Sequence, residues 1–294
     1  MRLRAPAKIN WSLEVLGRRP DGYHEVRTVL QTIDLCDIVT LESAPRLELL
    51  VEGAAGTLAG EDPKANLAWR AAERLLQRTG ASAGARIGID KRIPVAGGLG
   101  GGSSDAAAVL RGANHLWGLR QPLDALLEVA TTVGSDVPFF LLGGAALASG
   151  RGDVLQPLGD GPECTLLIAW PAAPAPADKT ARMYAALRPE LYTDGTATLR
   201  VARLVEAGEP PPDDAIVNVF ERVLDEALPE TGRVMRLLAE AGVRPHLCGA
   251  GPSIFASVDG ADLERARRVL EREGWRWVVA STLGAAAATA IEAP

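Results

Sequence analysis

Cysteine is scarce in this chain, aromatic residues are few, and no stretch is apolar or basic enough to stand out. The three cysteines, Cys36, Cys164 and Cys248, lie far apart with no Cys-x-x-Cys pair. That spacing excludes a disulfide-stapled fold. It reads as free thiols in a reducing, cytoplasmic setting, each a small core residue rather than a ligand. Phe, Trp and Tyr make up 4% of the residues, so any aromatic outside the core is worth locating. No block of Lys and Arg occurs and the net charge is −6, which argues against a nucleic-acid or anionic-membrane partner and leaves room for a local basic pocket. Residues 1–10 lack the apolar core of a secretory signal. The longest apolar stretch, residues 137–148, is too short to span a bilayer and is broken by Gly143 and Gly144.

What is present is a globular composition, 47% hydrophobic and 23% charged over 294 residues, enough for two domains of ordinary size. The chain is organised around residues 94–105, Pro-Val-Ala-Gly-Gly-Leu-Gly-Gly-Gly-Ser-Ser-Asp. The glycines there free the backbone for positive φ and for close approach to a ligand. Ser103, Ser104 and Asp105 are expected to cap the helix that follows, over about 104–118, where Ala106, Val109, Leu110, Ala113, Leu116 and Trp117 form one apolar face. A glycine loop feeding a helix N-terminus is a phosphate site, because free N–H groups and the positive dipole end gather there. The Walker pattern fails for want of a Lys after Gly102, and the dinucleotide pattern fails at Ser103.

Elsewhere the pattern predicts a half-buried strand over residues 1–17, where Trp11, Leu13 and Val15 alternate with Ser12 and Glu14. A turn at 18–22 precedes strand-like residues 26–41, broken near 34–37. A strand at 46–51 runs into a loop rich in Gly and Ala. Helices are expected at 64–79, stopped by Gly80, and at 122–133, with a strand at 85–89 between them. Residues 134–140 read as a loop holding one carboxylate, Asp136, among apolar neighbours. A strand at 145–149 and a turn at 150–153 follow, and composition shifts near 155. Past a Pro/Ala connector at 171–177, helices are expected at 180–188, 214–227, 231–242 and 261–273, and strands at 164–169, 253–258 and 276–282. A second glycine turn, Cys248-Gly249-Ala250-Gly251-Pro252-Ser253, precedes one of those strands. The mixed order indicates α+β architecture in two domains, 1–155 and 156–294.

Pro6-Ala7-Lys8-Ile9-Asn10, the glycine loop and Cys248–Ser253, in that order, resemble the GHMP kinases. The first motif with Gly17-Arg18-Arg19-Pro20-Asp21-Gly22-Tyr23-His24, Asp90-Lys91-Arg92-Ile93-Pro94, and Gly134-Ser135-Asp136-Val137-Pro138-Phe139 is similar to one branch of them, the 4-diphosphocytidyl-2-C-methyl-D-erythritol kinases of non-mevalonate isoprenoid biosynthesis. The resemblance implies an N-terminal ATP-binding domain and a C-terminal ferredoxin-like domain with the active site between them. It also implies transfer of the ATP γ-phosphoryl group, with Mg²⁺, to the substrate's 2-hydroxyl. Metal ligands are not legible in the sequence.

On that resemblance Asp136 is the general base and Lys8 the cation beside it; taken alone, Asp136 reads as a solvated cap and Lys8 as an exposed lysine. Pro94, Gly97, Gly98, Leu99, Gly100, Gly101, Gly102, Ser103 and Ser104 would cradle the triphosphate, with Asn66 and Lys91 as further ATP contacts. Asn10 would orient the substrate. Tyr23 and Tyr184 would stack on its cytosine while His24 bonds the base edge, although Tyr184 alone reads as a core aromatic. Three positions depart from the family pattern: Cys248 and Ala250 where hydroxyl residues are usual, and Ala96 where glycine often stands. Two other readings stay open, another alcohol kinase of the superfamily and a non-catalytic nucleotide-binding regulator. Monomer and homodimer are both compatible with the sequence.

Overall fold

The computed structural model describes residues 1–53, 62–176 and 178–292. The expected Gly/Ala loop after the third strand therefore lies largely outside the described residues, as does Ala177 at the end of the Pro/Ala connector. Among the described residues the chain forms two sheets, of seven and four strands.

The first sheet is built on a long ribbon, β1 (Arg2–Arg18) antiparallel to β2 (His24–Ala44). The break expected at 34–37 is a bulge: Pro6 pairs Cys36 while Ala7 pairs Ile33, so β2 bends but continues. β3 (Glu48–Glu52) lies parallel to β4 (Gly84–Asp90), which pairs antiparallel with the upper part of β2. Helices α1 (Leu67–Thr79), α2 (Gly101–Leu116), α3 (Leu123–Val133) and α4 (Val137–Leu142) supply the apolar partners of one sheet face, with Leu75, Val109, Leu110 and Phe139 in a single buried cluster. Gly80 ends α1 in the left-handed conformation, φ 66°. Beyond α4, β5 (Ala145–Ser149) pairs the lower part of β2, and β6 (Val154–Pro157) pairs β5.

The second sheet begins with β7 (Thr165–Pro171). Along the chain follow α5 (Lys179–Ala186), α6 (Thr196–Glu206), a 3-10 turn at Val219–Val223, α7 (Leu224–Ala227) and α8 (Pro229–Glu240). Then come β8 (His246–Leu247), β9 (Ile254–Ser257), α9 (Gly260–Arg272) and β10 (Trp275–Ser281). The strand order β10-β7-β9-β8, antiparallel throughout, is fourth-first-third-second, the ferredoxin-like arrangement. The chain then returns to the first sheet through α10 (Ala285–Thr289) and β11 (Ile291–Glu292), which pairs β1 at Arg2 and Leu3.

Several expectations need correction. β1 is buried on both faces rather than one: Ser12 and Glu14 are as covered as Trp11. The cause is α6, which the sequence reading omits. Thr198 at its start donates its backbone N–H to Glu14 at 2.7 Å and shares a hydroxyl contact with Ser12 at 2.8 Å. Polar side chains that look solvent-facing along β1 are the partners of a helix. Residues 134–140 are not simply a loop, since α4 starts at Val137 with Pro138 in its first turn. The helix expected at 214–227 is reduced to the 3-10 turn and the short α7, with Asn218 capping Phe220.

Candidate active site

Two clefts meet at the glycine loop. The loop leaves β4 and passes Ala96 at φ 57°, Gly98 at φ 86° and Gly100 at φ 74° before α2 starts at Gly101. The helix thus begins inside the glycine run, three residues earlier than expected, with Gly100 as its N-cap and no side-chain cap. Ser103, Ser104 and Asp105 therefore lie within the first turns and do not cap α2. The orphan N–H groups of that turn are the natural seat for phosphate. Ala96 occupies the left-handed region with a side chain, which explains why glycine suits that position and costs the backbone about 1–2 kcal/mol.

The first cleft is lined by Ala65, Asn66, Leu67, Lys91, residues 94–98, Gly100, Gly101, Gly102, Ser103 and Asp105. Most of the expected triphosphate cradle is here. Leu99 is not: its side chain is buried in the core, and its carbonyl accepts the Lys8 backbone N–H at 3.0 Å. Ser104 is also buried away from this lining, its hydroxyl without a partner among the described residues. Asn66 caps α1 by accepting from Ala68 N at 2.9 Å. Lys91 is ion-paired to Asp37 of β2 and, at 2.7 Å, to Asp105 of α2. Asp37 also accepts from the backbone of Arg92 and Ile93, so one buried triad pins the strand end, the loop entrance and the helix together. Burial opposes the charge on Lys91, but Asp105 and Asp37 outweigh it and hold its pKa above the usual lysine value. Burial, reinforced by Asp37, raises the Asp105 carboxyl despite Lys91.

The second cleft shares Gly98 and Gly100 with the first and adds Lys8, Asn10, Thr28, Asp136, Arg151, Lys179, Tyr184, Gly249 and Ala250 among its walls. Lys8 and Asp136 thus face one space. Burial pushes the Lys8 ammonium below its ordinary pKa, and the Asp136 charge pulls it back. Lys8 donates to Asn10 Oδ1 at 2.7 Å, and Asn10 Nδ2 donates to Thr28 at 2.8 Å. Asn10 therefore holds the lysine in place, with both ends of its amide engaged. The third motif closes the space from below. Its turn keeps Gly249 at φ 57° and Gly251 at φ 72°, and Ser253 N donates to Gly97 O at 3.1 Å. Cys248 is fully buried and its thiol is pushed up to about 12, so it stays neutral.

The backbone-to-backbone seat of loop on turn makes Gly98 irreplaceable. A Cβ there would overlap the Cys248 carbonyl oxygen and stand 2.9 Å from that of Gly251. Gly98→Ala should lose more than the roughly 1–2 kcal/mol that left-handed backbone costs alone. Gly102→Ala, inside α2 and 3.8 Å from its nearest neighbour, should be neutral or mildly stabilising. Urea denaturation of both variants checks this, and equal midpoints would refute the seat.

The aromatic residues are not arranged as two facing plates. His24 stacks on Tyr184 with centroids 4.7 Å apart, and Tyr184 meets Phe220 edge-on. Tyr23 is 57% exposed at the rim, with the Arg151 guanidinium 5.0 Å over its ring. Of Tyr23, His24 and Tyr184, it is Tyr184 that lines the cleft, beside Phe220. Sequence reasoning missed Thr28, Arg151, Lys179 and the Asp37–Asp105 pair. A signal for Lys179 existed: lysine stands at four positions in this arginine-rich chain, and Lys8, Lys91 and Lys179 are all buried while Lys64 is exposed.

These two clefts on this pair of sheets define a GHMP kinase, and the GHMP kinases N terminal domain model matches residues 66–144. The fold is shared with a homoserine kinase from Cytophaga hutchinsonii, at TM-score 0.74 and 19% identity over 97% of this chain and 95% of that one. A crystal structure of 4-(cytidine 5'-diphospho)-2C-methyl-D-erythritol kinase superposes with TM-score 0.78 and 34% identity, covering 97% of this chain and 100% of that one. The chain is 38% identical over 286 residues to the 4-diphosphocytidyl-2-C-methyl-D-erythritol kinase of Dehalococcoides mccartyi, spanning 96% of this chain and 98% of the relative. It is 42% identical over 274 residues to that of Pelotomaculum thermopropionicum, spanning 91% and 92%. The chain belongs to the 4-diphosphocytidyl-2-C-methyl-D-erythritol kinases. Use of ATP comes with membership of the GHMP kinases. No described helix is long and apolar enough to cross a membrane.

Proposed function

We propose that this chain transfers the γ-phosphoryl group of ATP to the 2-hydroxyl of 4-diphosphocytidyl-2-C-methyl-D-erythritol, a step of non-mevalonate isoprenoid precursor synthesis in the cytoplasm. The observation that carries this reading is the shared wall: Gly98 and Gly100 belong to both the phosphate-loop cleft and the cleft holding Lys8 and Asp136. A donor phosphate on one side and an acceptor hydroxyl on the other then meet across the loop, and phosphoryl transfer asks mainly for such positioning and charge stabilisation. Asp136 accepts the hydroxyl proton. Lys8, held by Asn10, neutralises charge developing on the transferred group.

The glycine run and Ser103 cradle the triphosphate, with Asn66 at the cleft edge. Lys91 acts from beneath through Asp105, because its charge is already committed to two carboxylates. The cytosine end belongs at Tyr184 and His24, with Tyr23 closing over it from the rim. Mg²⁺ fits as an ion carried in by the triphosphate, where it would offset phosphate charge. Among the described residues no group of three or more acidic, His or Cys side chains gathers to hold it, and the Ser103 hydroxyl is the hard oxygen donor best placed at the helix start. In this reading residues 1–155 carry the nucleotide side and residues 156–294 the other wall of the cleft.

ADP release tests it, with Mg-ATP and 4-diphosphocytidyl-2-C-methyl-D-erythritol beside mevalonate, homoserine and galactose. Turnover with the cytidylyl substrate alone is the expected result. Turnover with another alcohol instead would discard the aromatic roles, and ATP binding without ADP release from any of the four would make the chain a regulator.

A further inference from the structure

Two buried ammonium groups share the second cleft with a single carboxylate. Lys8 has Asp136 as its counter-charge. Lys179, the first residue of α5, is 5% exposed and lines the same cleft. It donates to the carbonyl oxygen of Gly251, and among the described residues no carboxylate pairs with it. The remaining cation of the lining, Arg151, is paired to Asp153 at 2.9 Å. Burial, with the repulsion of Lys8 added, pushes Lys179 down to about 8. A buried point charge without a partner is costly, and an incoming anion removes the cost.

The position of the ammonium decides which anion. Gly251 O, its acceptor among the described residues, lies 2.9 Å from where a Cβ of Gly98 would stand, and Gly98 is wall to both clefts. Lys8 sits on the other flank of the same joint, its Cγ 3.2 Å from the Cβ position of Gly100 and its Nζ 3.2 Å from that of Gly249. The two lysines thus bracket the seam between donor and acceptor spaces. Of the side chains on the turn, Cys248 is a buried neutral thiol, Ala250 a methyl, and Ser253 a buried hydroxyl without a partner among the described residues, 2.7 Å from where a Cβ of Gly97 would stand. None carries charge, so the positive charge at the seam comes from the two lysines.

We propose that Lys179 contacts the γ-phosphoryl group of ATP as it crosses the seam, a role that rests on the kinase reading above. In that step the bond from the γ-phosphorus to the β–γ bridging oxygen breaks and its electron pair leaves with ADP. The acceptor oxygen forms the new bond to phosphorus, and its proton goes to Asp136. Lys179 gives up no proton and holds the equatorial oxygens.

Calorimetric titration with Mg-ADP and with a non-hydrolysable Mg-ATP analogue tests this on wild type, Lys179→Met and Lys179→Arg. Lys179→Met should bind ADP as wild type does and lose about 10- to 100-fold in affinity for the analogue, the range of one charged hydrogen bond. Its kcat should fall about 10²–10³-fold with the acceptor KM little changed. Lys179→Arg, which keeps the charge, should recover part of both. Unchanged analogue affinity in Lys179→Met, or a rise confined to the acceptor KM, would overturn the assignment. Should Lys179→Met fail to fold, Lys179→Gln carries the same comparison. A wild-type protein silent with every acceptor would sink the kinase reading, while the ADP-against-analogue comparison would still decide the contact made by Lys179.

Discussion

Asp136→Asn is expected to lower kcat by about 10²–10⁴-fold, the usual contribution of a positioned general base, while leaving the fold intact. The side chain makes no cap hydrogen bond at the start of α4, so the isosteric amide disturbs no structural contact there. The residues behind it, Val137, Pro138, Phe139 and Phe140, are all buried and keep the position fixed. The buried Lys8 ammonium loses its counter-charge, however, so stability should fall by about 0.5–3 kcal/mol with the fold kept. For the same reason the lysine pKa should fall further in the variant. Steady-state kinetics with a melting curve separate the outcomes. A kcat near wild type would remove Asp136 from the proton path. An undiminished kcat with raised KM would make it a binding residue instead.

The second large effect concerns stability. Lys91→Met should destabilise the protein by about 3–5 kcal/mol, because it strands two buried carboxylates, Asp37 and Asp105, around an uncharged side chain. Asp105 already carries an oxygen without a hydrogen-bond partner among the described residues, so little slack remains. The loss should appear as a lower denaturation midpoint with or without nucleotide. If Lys91 instead reached for ATP directly, the apoprotein would keep its stability and the KM for ATP would rise.

The sequence displayed what is local and concealed what is distant. Glycine loop, N-terminal motif and third motif are each runs of adjacent residues, and the structure brings all three to one joint through contacts such as Lys8 N to Leu99 O and Ser253 N to Gly97 O. Gly80 and the apolar face of α1 likewise announce their helix within a dozen residues. By contrast, Asp37, Lys91 and Asp105 come from β2, the end of β4 and α2, and no periodicity links them. α6 carries a local signal, with Val201, Ala202 and Val205 on one buried face, but its effect on β1 is a distant contact. Its polar partners Ser12 and Glu14 lie in β1, and strand alternation assigns them to water until a helix from residue 196 onward covers them. The N-cap expected of Ser103 to Asp105 failed for another reason: Gly100, left-handed and free of a side chain, can end the loop earlier.

The ribbon of β1 and β2 runs through all three buried clusters, with Leu3 and Ala5 in the first, Leu13 and Val15 in the second, and Ile9 and Trp11 in the third. The first cluster lies within residues 1–155, while the second and third draw side chains from both halves of the chain. Heat or denaturant should meet one cooperative unit, in which loosening the nucleotide side also loosens the acceptor wall. Where the clefts must flex to admit two substrates, the register shifts at Pro6/Ala7, Asn10/Ser12 and Val15/Gly17 are the yielding points of an otherwise continuous ladder. The middle shift adjoins Asn10, whose side chain holds the Lys8 ammonium, so a bend of the ribbon at that point would carry the ammonium with it.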